Sequence, residues 1–160
     1  MKEELLQLLA KDARRSIIDL AVMLDVSEDD VINEMEKLEK EKVICGYQTL
    51  INWDKTERET ITALIEVKVN TQKGRGFDSI AERIYKFKEV KAVYLMSGGF
   101  DFTVIVEEKT MKEVALFVSN KLAPLESVLS TATCFVMKRY KDHGIIIDGP
   151  KVDKRMIVTP

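Results

Sequence analysis

The stretch SIIDLAVMLDVSEDDVINEMEKL, residues 16–38, holds two short amphipathic segments, each opened by a serine and joined at Asp25-Val26-Ser27. Ser16 is followed three residues later by Asp19, and Ser27 by Asp30, the spacing of a helix N-cap with an acidic N3 partner. Ile17, Leu20, Ala21 and Leu24 line one face of the first segment. Val31, Met35 and Leu38 line one face of the second at i, i+4, i+7. Upstream, Leu5, Leu6, Leu8, Leu9 and Ala10 predict another helix ending near Lys11-Asp12, with Ala13-Arg14-Arg15 as the connection. The expected product is a trihelical unit over residues 1–42. Its second and third helices have the outline of a helix-turn-helix, a unit whose usual task is to place one helix in a DNA groove.

The charge runs against that outline. Residues 1–50 hold seven Lys/Arg against twelve Asp/Glu, a net of −5, which leaves +3 for the rest of a chain whose total is −2. From Ser27 to Lys42 three lysines face seven acids. Phosphate attraction supplies most non-specific affinity for nucleic acid, so the acids are expected to turn toward solvent, with Glu36, Glu39 and Glu41 paired to Lys37 and Lys40. Glu28, Asp29 and Asp30 suit the positive end of the helix dipole. The expected phosphate and groove contacts are Lys11, Arg14 and Arg15 near the start of the second helix, Ser27 and Asn33 as hydrogen-bonding groups, and Lys37 as a cation.

Beyond residue 42 the period changes. Val43–Ile51 has strand character and Asn52–Glu59 is polar, so residues 43–59 are expected to be a strand and linker at a domain boundary. A trihelical unit of about fifty residues buries little surface. The expected strand therefore wants a partner, most simply the same strand of a second chain. From residue 60 to 140 the pattern reads strand (Ile61–Val69), glycine-containing turn (Lys73-Gly74-Arg75-Gly76), helix (Phe77–Phe87), strand (Val90–Met96), tight turn (Ser97-Gly98-Gly99), strand (Phe102–Val106), helix (Met111–Leu122) and strand (Val128–Lys138). The order βαββαβ predicts an α+β chain whose second domain is ferredoxin-like, an antiparallel sheet with helices on one face. Leu64, Glu66 and Lys68 would lie on the other face, which a homodimer could cover. Residues 141–160 form a tail apolar enough to dock.

The bulk numbers are those of a globular protein, 46% hydrophobic and 32% charged. They contain no apolar run of membrane-spanning length, and the amino terminus lacks the apolar core of a signal peptide. The chain is expected to be cytoplasmic, without membrane contact. Cys45 and Cys134 have no CxxC spacing and are expected to be reduced. His143, the single histidine, has no companion at ligand spacing, so no metal is expected. Lys73-Gly74-Arg75-Gly76 lacks the spacing of a phosphate loop. No cofactor and no catalytic residue are expected.

Together these features resemble the Lrp/AsnC (leucine-responsive, feast/famine) regulators. Their effector module carries a Gly-x-aromatic-Asp sequence at its hairpin, matched by Gly98, Phe100 and Asp101 in Ser97-Gly98-Gly99-Phe100-Asp101. The family's run after the recognition helix is matched by Leu38-Glu39-Lys40-Glu41-Lys42-Val43-Ile44-Cys45-Gly46-Tyr47. Thr131 and Thr133, followed by Phe135-Val136-Met137-Lys138, look like its closing strand. The resemblance spans about residues 1–140. One departure stands out: the family's basic pair falls on Asn33 and Glu34, and only Lys37 keeps a positive charge. The resemblance implies a transcriptional regulator rather than an enzyme, binding double-stranded DNA as a homodimer that assembles to a tetramer or octamer. It implies a small-molecule effector, an amino acid, in a cleft between subunits bordered by Ser97, Gly98, Gly99, Phe100 and Asp101, with Thr131 and Thr133 adding hydroxyls. Two other readings stay open: a metabolite-binding co-regulator that has lost DNA contact and acts by co-assembly, and an enzyme of the siroheme decarboxylase kind, which is similar in fold.

Overall fold

The computed structural model describes residues 1–71 and 76–148 and divides the chain into two units, Met1–Ile51 and Asn52–Pro160. Most of the glycine-containing turn before the fourth helix (Lys73, Gly74, Arg75) and the apolar stretch from Arg155 to Val158 lie outside the described residues.

The first unit contains α1 (Lys2–Lys11), α2 (Ile17–Leu24) and α3 (Glu28–Lys40). Their apolar stripes meet in one core of Leu5, Leu9, Leu20, Ala21, Val31 and Leu38, with Ile17, Leu24, Met35 and Ile44 packed against it. Burying a leucine or valine this fully contributes about 1.5–3 kcal/mol each, and here those few side chains are the whole core. The two caps differ. At α3 the Asp30 N–H donates to Ser27 Oγ at 3.1 Å and the Ser27 N–H donates to the Asp30 carboxylate at 3.3 Å, a reciprocal capping box. At α2 the Asp19 N–H donates to Ser16 Oγ at 3.0 Å, but the Asp19 carboxylate takes the Ser16 hydroxyl, at 2.7 Å, in place of its N–H. The box expected there is only half formed. Between the helices Asp25 sits at φ 54°, ψ 48°, a left-handed stop that aspartate tolerates better than most residues.

Val43–Ile51 forms no strand in the single chain. Val43 and Ile44 donate their N–H groups to the Leu38 carbonyl, which ends α3, and the segment beyond finds no ladder among the described residues. A strand needs a neighbour to bond with. The polar stretch that follows folds into one tight turn, Trp53–Lys55, with Arg58 stacked 4.4 Å from the Trp53 ring centre.

The second unit runs β1 (Ile61–Val69), α4 (Phe77–Tyr85), β2 (Val90–Leu95), β3 (Phe102–Glu108), α5 (Met111–Phe117) continuing into a π turn at Val118–Leu122, and β4 (Val128–Phe135). The sheet is antiparallel in the order β2-β3-β1-β4. The hairpin β2–β3 is central in the chain but not in the sheet: β2 is an edge strand. Alternation in β1 buries Ala63, Ile65, Val67 and Val69 on one face, and the last three pack with Phe102, Val104, Val106, Ile80, Ile84 and Phe117. Leu64, Glu66 and Lys68 take the opposite, helix-free face. Glu89, 8% exposed, is paired with Lys121 of the π turn. Burial works against its charge, but the Lys121 ammonium and local backbone donors outweigh that and hold its carboxyl below the usual value.

β4 stops at Phe135 rather than Lys138. Beyond it the Arg139 guanidinium donates to Thr62 Oγ1 at 2.6 Å and to the Glu107 carboxylate at 3.3 Å. A two-stranded hairpin follows, β5 (Lys141–Asp142) and β6 (Ile145–Ile146), turning through His143 and Gly144 at φ 44° and 82°. His143 is thus a turn residue.

Candidate nucleic-acid interface and effector hairpin

The first unit places the six residues expected to approach DNA in two groups. Lys11 ends α1, and Arg14 lies exposed in the turn before the capped start of α2, with its N–H donated to Asp12 Oδ1 at 3.0 Å. Arg15 is half-buried: one terminal nitrogen lies 3.3 Å from the sulfur of Met23, and its Nε is enclosed without a partner. Ser27 caps α3, and Asn33 and Lys37 lie within it. The hydroxyl proton of Ser27 is committed to Asp30 at 2.6 Å. Asn33 is exposed. Lys37 is exposed too, but 3.9 Å from Glu34.

The outward stripe of α3, opposite buried Val31 and Leu38, is Asp29, Asn33, Glu36 and Lys40, at i, i+4, i+7 and i+11. Carboxylates therefore flank Asn33 on both sides, with the lysine at the far end. The pairing expected for the remaining acids is different in detail. Glu39 accepts the Tyr47 hydroxyl at 2.9 Å, and Glu41 lies 4.0 Å from Lys2. Burial, and then the Glu39 carboxylate, push the Tyr47 phenol above its ordinary pKa.

In the second unit, Gly98 holds φ 156°, a conformation that L side chains rarely adopt, and a Cβ at Gly98 or Gly99 would meet open space. The tip backbone is therefore uncovered. Asp101 is engaged in the fold. Its N–H donates to the Val67 carbonyl at 3.0 Å, its carbonyl accepts from Met96 at 2.8 Å, and its carboxylate accepts the Val69 N–H at 2.8 Å. The ladder between β1 and β3 ends at Val67 and Phe102, so this carboxylate completes it for one more residue. Phe100 is half-buried and Ser97 is exposed.

Thr131 and Thr133 pair with Val67 and Ile65, placing them on the helix side of the edge strand β4. Strand β1 separates them from Asp101, about 10 Å for two strand spacings. The structure thus sets Thr131 one strand away from the hairpin end of the sheet and Thr133 nearer its middle. Lys68 was not among the expected site residues. Its Nζ reaches the Gly99 carbonyl at 3.5 Å, and it is a cation of the hairpin tip. The alternation of β1 places it on the open face, as the sequence reading has it, but only the β1–β3 register puts it beside Gly99. Among the described residues no cluster of three or more metal-ligating side chains occurs, and no helix is long and apolar enough to cross a membrane.

A capped helix-turn-helix unit followed by a ferredoxin-like module defines a class of two-part transcriptional regulators. The Lrp/AsnC ligand binding domain profile matches residues 62–146, more than half of the chain. An uncharacterized HTH-type transcriptional regulator of Bacillus subtilis, YugG, is 44% identical over 158 residues, covering 98% of this chain and 95% of that protein. The chain belongs to the Lrp/AsnC family of HTH-type transcriptional regulators. Its fold is also that of a feast or famine regulatory protein from M. tuberculosis complexed with L-methionine, with a TM-score of 0.70 at 19% identity over 86% of this chain and 90% of that one. A Neisseria meningitidis transcriptional regulator in complex with L-Met gives 0.69 at 20% identity, over 91% and 93%. The family and its relatives are regulators, not enzymes. The profile extends through β6, past the residue-140 limit of the sequence resemblance.

Proposed function

We propose that the chain regulates transcription in the cytoplasm by binding promoter DNA as a homodimer, or a tetramer or octamer built from it, under control of an amino acid held at the hairpin of the second unit. The observation that carries direct DNA contact is the position of Lys11 and Arg14. Both are exposed at the turn leading into the capped N-terminus of α2, off the acidic stripe of α3. Backbone contacts from that corner would anchor the unit on phosphates, leaving Asn33 as the group suited to a base edge. Two features support the dimer. Among the described residues the sheet has one face without helices, and Val43–Ile51 carries exposed Val43, Tyr47 and Ile51 on a segment with no ladder of its own. The solved relatives bound to L-methionine support an amino-acid effector, and the uncovered Gly98 and Gly99 amides would suit its carboxylate.

A duplex titration tests this. Affinity is expected to fall steeply between about 50 and about 200 mM salt, and Arg14→Glu to reduce the slope of log affinity against log salt by about 1 per subunit. A protein that ignores duplex at the lower salt would remove the direct reading. Asp29 and Glu36 around Asn33 favour one alternative, a co-regulator that binds metabolite and acts by co-assembling with a more basic relative. It predicts mixed oligomers and no DNA affinity alone.

A further inference from the structure

Register places Glu66, Lys68 and Glu107 on the helix-free face of the sheet, beside Leu64, Ile105 and Tyr94. Glu107 is answered by Arg139 at 3.3 Å. Glu66 and Lys68 form no ion pair with any described residue, and Lys68 turns to the Gly99 carbonyl instead. They stand two residues apart on one strand, about 7 Å along it. Covering this face strips water from both, and a charge buried alone costs far more than one buried with its opposite.

We propose that Glu66 and Lys68 set the register of a face-to-face homodimer, Glu66 of one copy meeting Lys68 of the other, twice. This rests on the dimer reading above. A two-fold axis lying between the two sheets, perpendicular to β1 and passing over Val67, exchanges positions 66 and 68, so one register forms both pairs. The neighbouring registers are self-defeating. An axis at residue 66 sets Glu66 against Glu66, and an axis at 68 sets Lys68 against Lys68. The same two residues reward one alignment and repel the adjacent ones, the usual way a surface chooses its partner. A copy carrying one sign at both positions would repel itself and pair best with a copy carrying the opposite sign at both.

The test is charge exchange in the full-length protein, read by sedimentation velocity and by native mass spectrometry, with circular dichroism melts to confirm folding. Glu66→Lys and Lys68→Glu are each expected to weaken self-association by about tenfold or more, and the double exchange to return within about threefold of the starting affinity. The decisive arm mixes the two single variants. One chain then presents two lysines and the other two glutamates, and the mixture is expected to form a heterodimer tighter than either homodimer. This arm stays informative even if the double variant folds poorly. The proposal is overturned if the starting protein is dimeric but the single exchanges leave its affinity unchanged, or if the mixture shows no preference for the heterodimer. A starting protein that is monomeric at tens of micromolar would instead overturn the dimer reading itself.

Discussion

Ser27, at the head of α3, and Asp101, at the foot of the hairpin, are both polar residues held by a hydrogen-bonding partner, but at very different separations along the chain. Ser27 is held by Asp30, three positions away, within a single turn of helix. Asp101 is held by Val69, thirty-two positions away, across a strand boundary. The first arrangement exists as soon as one helix forms. The second exists only when β1, β2 and β3 have found their register. The two units follow the same division. The trihelical unit satisfies its polar ends with local caps around a core of a few leucines and valines, whereas the sheet unit depends on contacts between distant segments. A residue offering to bind DNA in the first unit is therefore surrounded by its own sequence neighbours, and one offering to bind a metabolite in the second by residues chosen by topology.

The comparison breaks most easily in the small core. Leu20→Ala is expected to cost about 2–5 kcal/mol, a large share of what a unit with six buried side chains has. The first unit should lose its amide protection and the protein its duplex binding, while the sheet amides of Ile65 and Val104 stay protected. Parallel loss of protection in both units would mean that the two do not behave separately, and hydrogen exchange with mass spectrometry distinguishes the cases.

A smaller effect is expected at the hairpin. Asp101→Ala removes the acceptor of the Val69 N–H and should cost about 1–3 kcal/mol, with faster exchange at Val69 and a weakened response to effector. Asp101→Asn keeps an oxygen acceptor and is expected to recover much of the stability. If asparagine restores stability but not the effector response, the carboxylate has a ligand role beyond its structural one. The smallest effect concerns the caps. Asp30→Ala is expected to cost about 1 kcal/mol, and Asp19→Ala less, because the acidic residue accepts the cap's backbone N–H at α3 and not at α2. Thermal melts of the two variants rank them, and equal losses would show that the backbone N–H bond at Ser27 contributes little.

Much of this chain was legible because its signals are short-ranged. Serine caps, helix stripes and strand alternation each involve residues a few positions apart, so the trihelical unit, the βαββαβ order and the helix-free face with Leu64, Glu66 and Lys68 could be read from the order of residues. Val43–Ile51 was legible only as strand character, for a related reason: β propensity is local, but a strand also requires a second one, which a single chain does not provide here. The outward stripe of α3 was computable from helical periodicity, yet which acids pair with what was not. Tyr47 claims Glu39 and Lys2 approaches Glu41 only because the chain folds back on itself.

By itself, then, the order of amino acids determined the elements, their capping and which face of each is apolar, because those follow from interactions within one turn of helix or one pleat of strand. Only the folded chain decided that Asp101 closes the β1–β3 ladder, that Lys68 stands at the hairpin tip, and that Thr131 and Thr133 lie a strand away from it. Those are consequences of strand order and register, in which segments more than thirty residues apart come to share a hydrogen bond.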